Sequence, residues 1–180
     1  IHTWEEFLEN YSLARACGFE NINVDLMSAL PGQTKESWMH TLKCVTDLEP
    51  EHISAYSLII EEGTPFFDLY EDHPELLPSE EEERQMYYDT KTFLASKGYE
   101  RYEISNYAQK GYESCHNLKY WHCSPYLAAG LGAHGFDGNM RKENVQDLKT
   151  YLDWISKNKL PTECESVLSA QDLASEYIMM

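Results

Sequence analysis

The sequence has no CxxC pair, and its five cysteines are an odd number for a disulfide framework. A disulfide-stabilised secreted scaffold is therefore disfavoured, and we expect a reducing, cytoplasmic environment. No apolar run reaches the roughly 18 residues that a transmembrane helix needs, so an integral membrane segment is not expected. The N-terminal residues also lack the basic and then apolar order of a signal peptide.

Positive charge is scarce as well. Lys and Arg number 14 against 31 Asp and Glu, which gives a formal net charge of −17 with neutral histidine. Such a chain repels phosphate backbones and anionic lipids, so neither nucleic acid nor an anionic membrane surface is an expected partner. Hydrophobic residues make up 42% of the 180 residues, enough for a sizeable core and too many for a disordered chain.

Helices and strands should alternate in the first 66 residues. The pattern predicts a helix from Thr3 to Gly18, a strand over 21–27, a helix over 34–48 and a strand over 52–61. Because a long helix links the two strands, they should be parallel. We therefore predict an α/β fold whose N-terminal part is a barrel-type sheet, with any ligand at the C-terminal ends of the strands.

The rest of the chain, 67–180, is predicted to be a mixed α+β domain that follows the α/β part over 1–66. An acidic stretch with two prolines predicts a loop or lid over 68–78. Ser79 and Glu82 form a capping-box pattern at the start of a helix. The further predicted elements are the end of this helix near Lys97, strands over 99–104 and 126–136, and helices over 145–157 and from 170 onward.

Three groups near the predicted strand ends have residue types that suit ligand binding. Asp25 lies on the polar side of the first strand, where a carboxylate can accept hydrogen bonds from a ribose diol or orient an amine. The alternative is a surface aspartate of an edge strand. The LPGQT segment over 30–34 either offers backbone N–H groups to an anion or a purine edge, or is a plain turn capped by Thr34. Glu61 and Glu62 could bind a cation, but their spacing favours a solvated loop.

Two further motifs lie in the C-terminal half. GLGAHG over 130–135 matches G-x-G-x-x-G, but a turn rather than a helix follows. A close backbone approach or a tight barrel-edge strand is therefore favoured over a dinucleotide site. The CH and HC pairs at 115–116 and 122–123 lack zinc-finger spacing. His116 is either an axial haem ligand beside a tyrosine and a tryptophan, or a hydrogen-bonded structural histidine.

Three segments carry a resemblance to a known family. NVDLMSALPGQT (23–34) resembles the fifth-strand motif of radical S-adenosylmethionine (SAM) enzymes. LEPEHISAYSLIIEEGTPF (48–66) resembles the next strand of the oxygen-independent coproporphyrinogen III oxidase family. YEISNYAQKGYESCHNLKYW (102–121), followed by YLAAGLGAH (126–134), is similar to the haem-chaperone branch of that family, and HNLKYW is its most specific part.

The resemblance implies a partial (β/α) barrel followed by a family-specific C-terminal domain. The family binds a [4Fe–4S] cluster through C-x3-C-x2-C, a spacing that this sequence lacks, so the cluster ligands would lie before Ile1. The chain lacks an initiator Met and ends in an apolar helical pattern, so we expect a piece of a longer protein. The missing barrel strands would expose a sheet edge, from which we expect self-association.

The resemblance also implies site residues. Asp25 matches an aspartate that contacts SAM, and Ile59 and His134 occupy positions near SAM in the family. His116 matches the histidine of the HNxxYW motif, which is suggested to bind haem. Ala29 replaces the usual glycine of the fifth-strand motif, and its methyl group could crowd an adenine edge. No catalytic residue and no metal ligand is assigned to this chain.

Two functions remain open at this point. The first is a haem-binding and haem-delivering protein, with haem or a porphyrin and a haem-recipient protein as partners. The second is an enzyme that oxidatively decarboxylates the propionates of coproporphyrinogen III, using SAM and the cluster. A barrel protein unrelated to porphyrins would require three coincidental motifs.

Overall fold

A four-stranded mixed sheet organises the chain up to Glu113. The computed structural model describes residues 2–179, which divide into two compact units between Glu113 and Ser114. The helices of the first unit are α1 (Trp4–Ala16), α2 (Lys35–Thr46), α3 (Pro65–Tyr70) and α4 (Glu80–Ser96), and a 3-10 turn spans Pro74–Leu76. Its strands are β1 (Asn23–Ser28), β2 (His52–Ser57), β3 (Glu100–Arg101) and β4 (Asn106–Ala108).

The strand order is β1-β2-β4-β3. β1 and β2 are parallel and joined through α2, as predicted, whereas β4 pairs antiparallel with both β2 and β3. One face of the sheet is apolar and packs in the core, because Val24 and Leu26 alternate with the exposed Asn23 and Asp25. The other large buried core side chains of this unit are Tyr11, Trp38, Leu42, Val45, Ile53, Met86, Leu94, Tyr99 and Tyr107.

Helix starts follow the predicted caps. Thr3, Thr34 and Ser79 each accept a hydrogen bond from the backbone N–H three residues later, and in each case the side chain at that later position bonds back to the cap. These reciprocal bonds satisfy N–H groups that have no partner inside the helix. The capping box predicted for α4 and the Thr34 cap of α2 are therefore confirmed.

Three predictions in this unit are wrong in extent. The strand predicted over 99–104 is reduced to Glu100–Arg101, and a separate strand follows at Asn106–Ala108. The second strand was predicted to reach 61 but ends at Ser57, because its partner β1 ends at Ser28 and the next residue turns the chain with a φ of 57°. The predicted loop or lid over 68–78 overlaps α3 instead. Thr64 caps this helix by accepting from the Phe67 N–H, and a proline follows at its first position.

The second unit contains an antiparallel sheet of order β5-β6-β7. Its strands are β5 (His134–Phe136), β6 (Met140–Asn144) and β7 (Thr162–Val167), and its helices are α5 (Cys115–Trp121), α6 (Leu148–Ser156) and α7 (Ala170–Met179). The strand predicted over 126–136 forms only at its end. Gly130 and Gly132 have φ values of 112° and 61°, which break an extended strand, and Tyr126 meets Phe136 in an isolated bridge.

The compact units do not divide at the predicted domain boundary between 66 and 67. α4 packs against α2, and β4 pairs with β2, so the chain up to Glu113 joins the first unit. The assignment of 1–66 to the barrel and 67–180 to a C-terminal domain stays a prediction. Among residues 2–179, no helix has both the length and the apolarity to cross a bilayer.

We expect Ala29→Gly to leave stability unchanged or raise it by up to about 1 kcal/mol. Ala29 has a φ of 57°, a conformation that costs a residue with a Cβ and not glycine. The loss of its buried methyl contacts and the greater freedom of unfolded glycine offset part of the gain. Urea unfolding measures the change. Ala14→Gly inside α1 is the matched control and should lose about 1 kcal/mol, and an equal loss in both variants would contradict this reading.

We also expect the 180-residue chain to self-associate. Among the described residues, β1 has a partner strand on one side only, so its outer backbone groups form a template for pairing. Size-exclusion chromatography over a range of concentrations should show a rising apparent mass. A single monomer peak at low micromolar concentration would refute the expectation.

Candidate functional site

The sheet face opposite the core carries a row of polar side chains. In the register of β1 and β2, Asn23 lies opposite His52, and Asp25 lies opposite Ser54. Residues in register share a face, so these four side chains form one surface. Asp25 is exposed, whereas His52 is only 4% exposed. The surface therefore runs from a buried imidazole to an accessible carboxylate.

Short hydrogen bonds link this row into a chain. Asn23 Nδ2 donates to Asp25 Oδ1 at 2.6 Å. The other end of the same amide, Oδ1, is an acceptor and lies 2.6 Å from His52 Nδ1, which therefore carries the proton. His52 Nε2 is 2.7 Å from the Tyr102 hydroxyl, which donates to it when the ring is neutral. Ser54 Oγ also donates to Asn23 Oδ1, at 3.2 Å.

Burial holds the imidazole in its neutral form. The pKa of His52 is lowered, chiefly because burial penalises the charged ring. The carboxylates of Asp25 and Glu103 act in the opposite direction but are outweighed. Since a neutral ring has one donor and one acceptor nitrogen, it fits between an acceptor on Asn23 and a donor on Tyr102.

Backbone groups of the LPGQT turn do not form an anion site. Four N–H groups already have partners within the chain: Leu30 with Gln33 Oε1 (3.3 Å), Gly32 with Leu76 O (3.3 Å), Gln33 with Leu30 O (2.9 Å) and Thr34 with Ser37 Oγ (3.0 Å). The segment is thus the turn and helix cap that the sequence offered as its alternative.

Metal sites are also not formed by the described residues. Over 2–179, no three His, Cys, Asp or Glu side chains come together in a way that could hold a metal ion. The CH and HC pairs at 115–116 and 122–123 therefore do not make a zinc site. Glu61 and Glu62 are exposed in the loop before α3, as the solvated-loop interpretation predicts.

The remaining predicted SAM-pocket residues, Ile59 and His134, belong to different compact units. Ile59 follows the end of β2 and is 77% exposed, in the same unit as Asp25. His134 begins β5 in the second unit, with Nδ1 3.6 Å from Glu143 Oε1. The G-x-G-x-x-G match leads into this strand and not into a helix, so the dinucleotide interpretation fails.

His116 lies on the exposed surface of α5. Its Nε2 is 3.2 Å from the Tyr120 hydroxyl, one turn further along the same helix. This hydrogen bond lies within one helix and does not link two elements of secondary structure. It therefore gives little support to a structural role for His116. The ring centroids of Tyr120 and Tyr126 are 4.7 Å apart, and those of Tyr126 and Phe136 are 6.3 Å apart. His116 therefore stands at the end of an aromatic row formed by Tyr120, Tyr126 and Phe136.

The aromatic row reaches a small cavity of about 210 Å³. Tyr126, Phe136 and Lys142 contribute to its wall. Small-molecule pockets usually measure roughly 300–1,000 Å³. A porphyrin would therefore have to lie on the surface of this unit and not inside the cavity.

Some residues of both sites were not predicted. Sequence reasoning missed Asn23, His52 and Tyr102 as companions of Asp25, and Tyr126 as a continuation of the His116 surface. For β1 and β2 a signal existed, since NxD and HxS place polar residues on one side of two neighbouring strands. Nothing comparable pointed to Tyr102, which is separated from His52 by 50 residues.

Comparison with known proteins identifies the family. No family model matches the chain. The chain is 40% identical over 180 residues to the heme chaperone HemW of Bacillus subtilis, which covers all of this chain and 48% of the relative. It is 35% identical over 182 residues to HemW of Lactococcus lactis, covering 99% of this chain and 47% of the relative. The chain belongs to the heme chaperone HemW family.

The fold of this family is also seen in a solved structure. Coproporphyrinogen III oxidase (HemN) from Escherichia coli, a radical SAM enzyme, superposes with a TM-score of 0.78 at 22% identity, over 99% of this chain and 44% of that one. The predicted α/β fold class is thereby confirmed, and the relatives named heme chaperones confirm the predicted family. The chain spans about half the length of the curated relatives it matches.

The stability of the protein should fall as the pH drops below about 6.5, the ordinary histidine pKa in an unfolded chain. Because the pKa of His52 is lowered in the folded protein, the unfolded state takes up a proton at a higher pH than the folded state does. His52 thus contributes stability above the unfolded pKa, and this contribution is lost as the pH falls through the folded pKa.

Urea unfolding at pH 7.5, 6.5 and 5.5 measures this effect. His52→Gln should flatten the change across this range, whereas the control His40→Gln, at an exposed position of α2, should keep it. The same pH dependence in wild type and His52→Gln would show that another group is responsible.

Proposed function

We propose that this chain takes part in binding and delivering haem, as part of a radical SAM protein, with His116 as the iron ligand. The observation that carries the proposal is the exposed His116 at the end of the aromatic row. Imidazole is a common axial ligand of haem iron. The relatives named heme chaperones support the same function.

Haem would be held here as cargo on the surface of α5. The Tyr120 hydroxyl occupies Nε2 of His116, so ligation requires that this hydroxyl move or that Nδ1 bind the iron. The rings of Tyr120 and Tyr126, which meet edge to face at an interplanar angle of 61°, supply apolar surface beside the ligand. A haem-recipient protein is part of the proposal, and the cytoplasmic location stays a prediction.

The proposal includes a SAM pocket in the complete protein. Asp25, Ile59 and His134 are its proposed lining residues. The exposed Asp25 carboxylate suits a ligand with hydroxyl or ammonium donors. The described residues do not suit a [4Fe–4S] cluster, since no three potential ligands converge among them. No step through that cluster follows from this chain.

The oxidase alternative has weaker support. The similarity to the E. coli oxidase is at 22% identity and concerns the fold. The HNLKYW helix, by contrast, carries the resemblance to the chaperone branch, and its His116 side chain is exposed to solvent. We therefore keep haem binding as the single proposed function.

We expect the chain to bind haem with a saturable shift of the Soret band, and His116→Ala to weaken binding roughly tenfold or more, or about 1.4 kcal/mol. Loss of an axial ligand is the physical reason. Absorbance titration measures the affinity. His122→Ala is the matched control, because this histidine is also exposed and ends the same helix. Equal binding by wild type and His116→Ala would contradict the assignment of the ligand.

A further inference from the structure

The carboxylate of Asp25 is held on one side only. Its Oδ1 accepts from Asn23 Nδ2 at 2.6 Å, and this is the one hydrogen bond of the carboxylate among the described residues. The bond joins two residues of one strand, so it adds nothing to the pairing of strands. Its effect is to select one orientation of an exposed side chain, which leaves Oδ2 as an acceptor.

Asn23 is itself fixed from the buried side. Its Oδ1 accepts from His52 Nδ1 at 2.6 Å and from Ser54 Oγ at 3.2 Å. An amide with both ends engaged cannot flip without breaking these bonds. The direction of the Asn23 donor, and with it the orientation of Asp25, is therefore set by the protonated nitrogen of His52.

The tautomer of His52 depends in turn on Tyr102. The Tyr102 hydroxyl lies 2.7 Å from Nε2, and its ring meets the imidazole edge at a centroid distance of 5.6 Å. A hydroxyl that donates to Nε2 keeps the proton on Nδ1. The chain of bonds thus starts at Tyr102, passes through a buried ring and an amide, and ends at an accessible carboxylate.

We propose that Tyr102 and His52 are positioning residues that act through Asn23 to orient Asp25 toward a ligand with hydrogen-bond donors. The inference rests on the proposed SAM pocket and deepens it by naming the residues that prepare Asp25. A carboxylate held in place before binding loses less conformational freedom when a ligand arrives. The ligand chemistry it accepts is an ammonium group or a vicinal diol.

The test is a binding titration of the complete 15N-labelled protein that contains this chain, followed by NMR, with SAM as the probe. Methionine, which has the ammonium group and no diol, and adenosine, which has the diol and no ammonium group, are titrated separately. The variants are Asp25→Asn, Tyr102→Phe and His52→Gln. Tyr88→Phe, an exposed tyrosine on α4, is the matched control. Thermal unfolding checks that each variant is folded.

Tyr102→Phe and His52→Gln should raise the Kd for SAM about threefold to tenfold, the effect of one hydrogen bond, and Tyr88→Phe should not. The side-chain amide signal of Asn23 should move in Tyr102→Phe, which a purely structural role of the tyrosine would not require. At least one of methionine and adenosine should show the same loss, and that ligand identifies the donor group that Asp25 binds.

Three outcomes separate the inference from its basis. In the first outcome, Asp25→Asn loses SAM binding while folded Tyr102→Phe and His52→Gln keep the wild-type affinity. This result overturns the inference but keeps Asp25 in the pocket. Equal SAM binding by Asp25→Asn and wild type, or no SAM binding by either, overturns the pocket assignment and the inference together. The haem titration of His116 is independent of both results.

Discussion

The alternation of side chains along β1 and β2 is the constraint on which the first unit depends. Val24 and Leu26 enter the core, where Ile53 of β2 is fully buried. The intervening residues Asn23 and Asp25 must then share the opposite face. A shift of β1 by one residue would bury Asp25 and expose the core residues, so hydrophobic burial fixes the position of the polar row.

Local sequence predicted the parts of the fold that local chemistry decides. Thr3 and Ser79 mark helix starts because their side chains bond within the next turn. β1 was predictable because its alternation spans six residues, and the parallel pairing followed from the crossover helix. The end of β2 was not predictable from its own sequence, because it depends on where β1 ends, directly before Ala29 with its positive φ. The breaks at Gly130 and Gly132 also appear only in the folded backbone.

The sites show the same limit. Asp25 and His116 were found from their place in motifs, and both prove to be exposed. The partners that give each its geometry come from distant parts of the chain or from neighbouring elements. Tyr102 reaches His52 across 50 residues, and Tyr126 meets Tyr120 from outside the HNLKYW helix. Pairing of this kind is set by tertiary structure and leaves no periodic signal.

The account of the first unit depends on a neutral His52 with its proton on Nδ1. Long-range 1H–15N NMR of the imidazole at pH 7 measures this state directly. We predict a neutral ring protonated at Nδ1 in wild type. A ring protonated at Nε2, or a ring that titrates with the ordinary histidine pKa of about 6.5, would contradict the chain of hydrogen bonds from Tyr102 to Asp25.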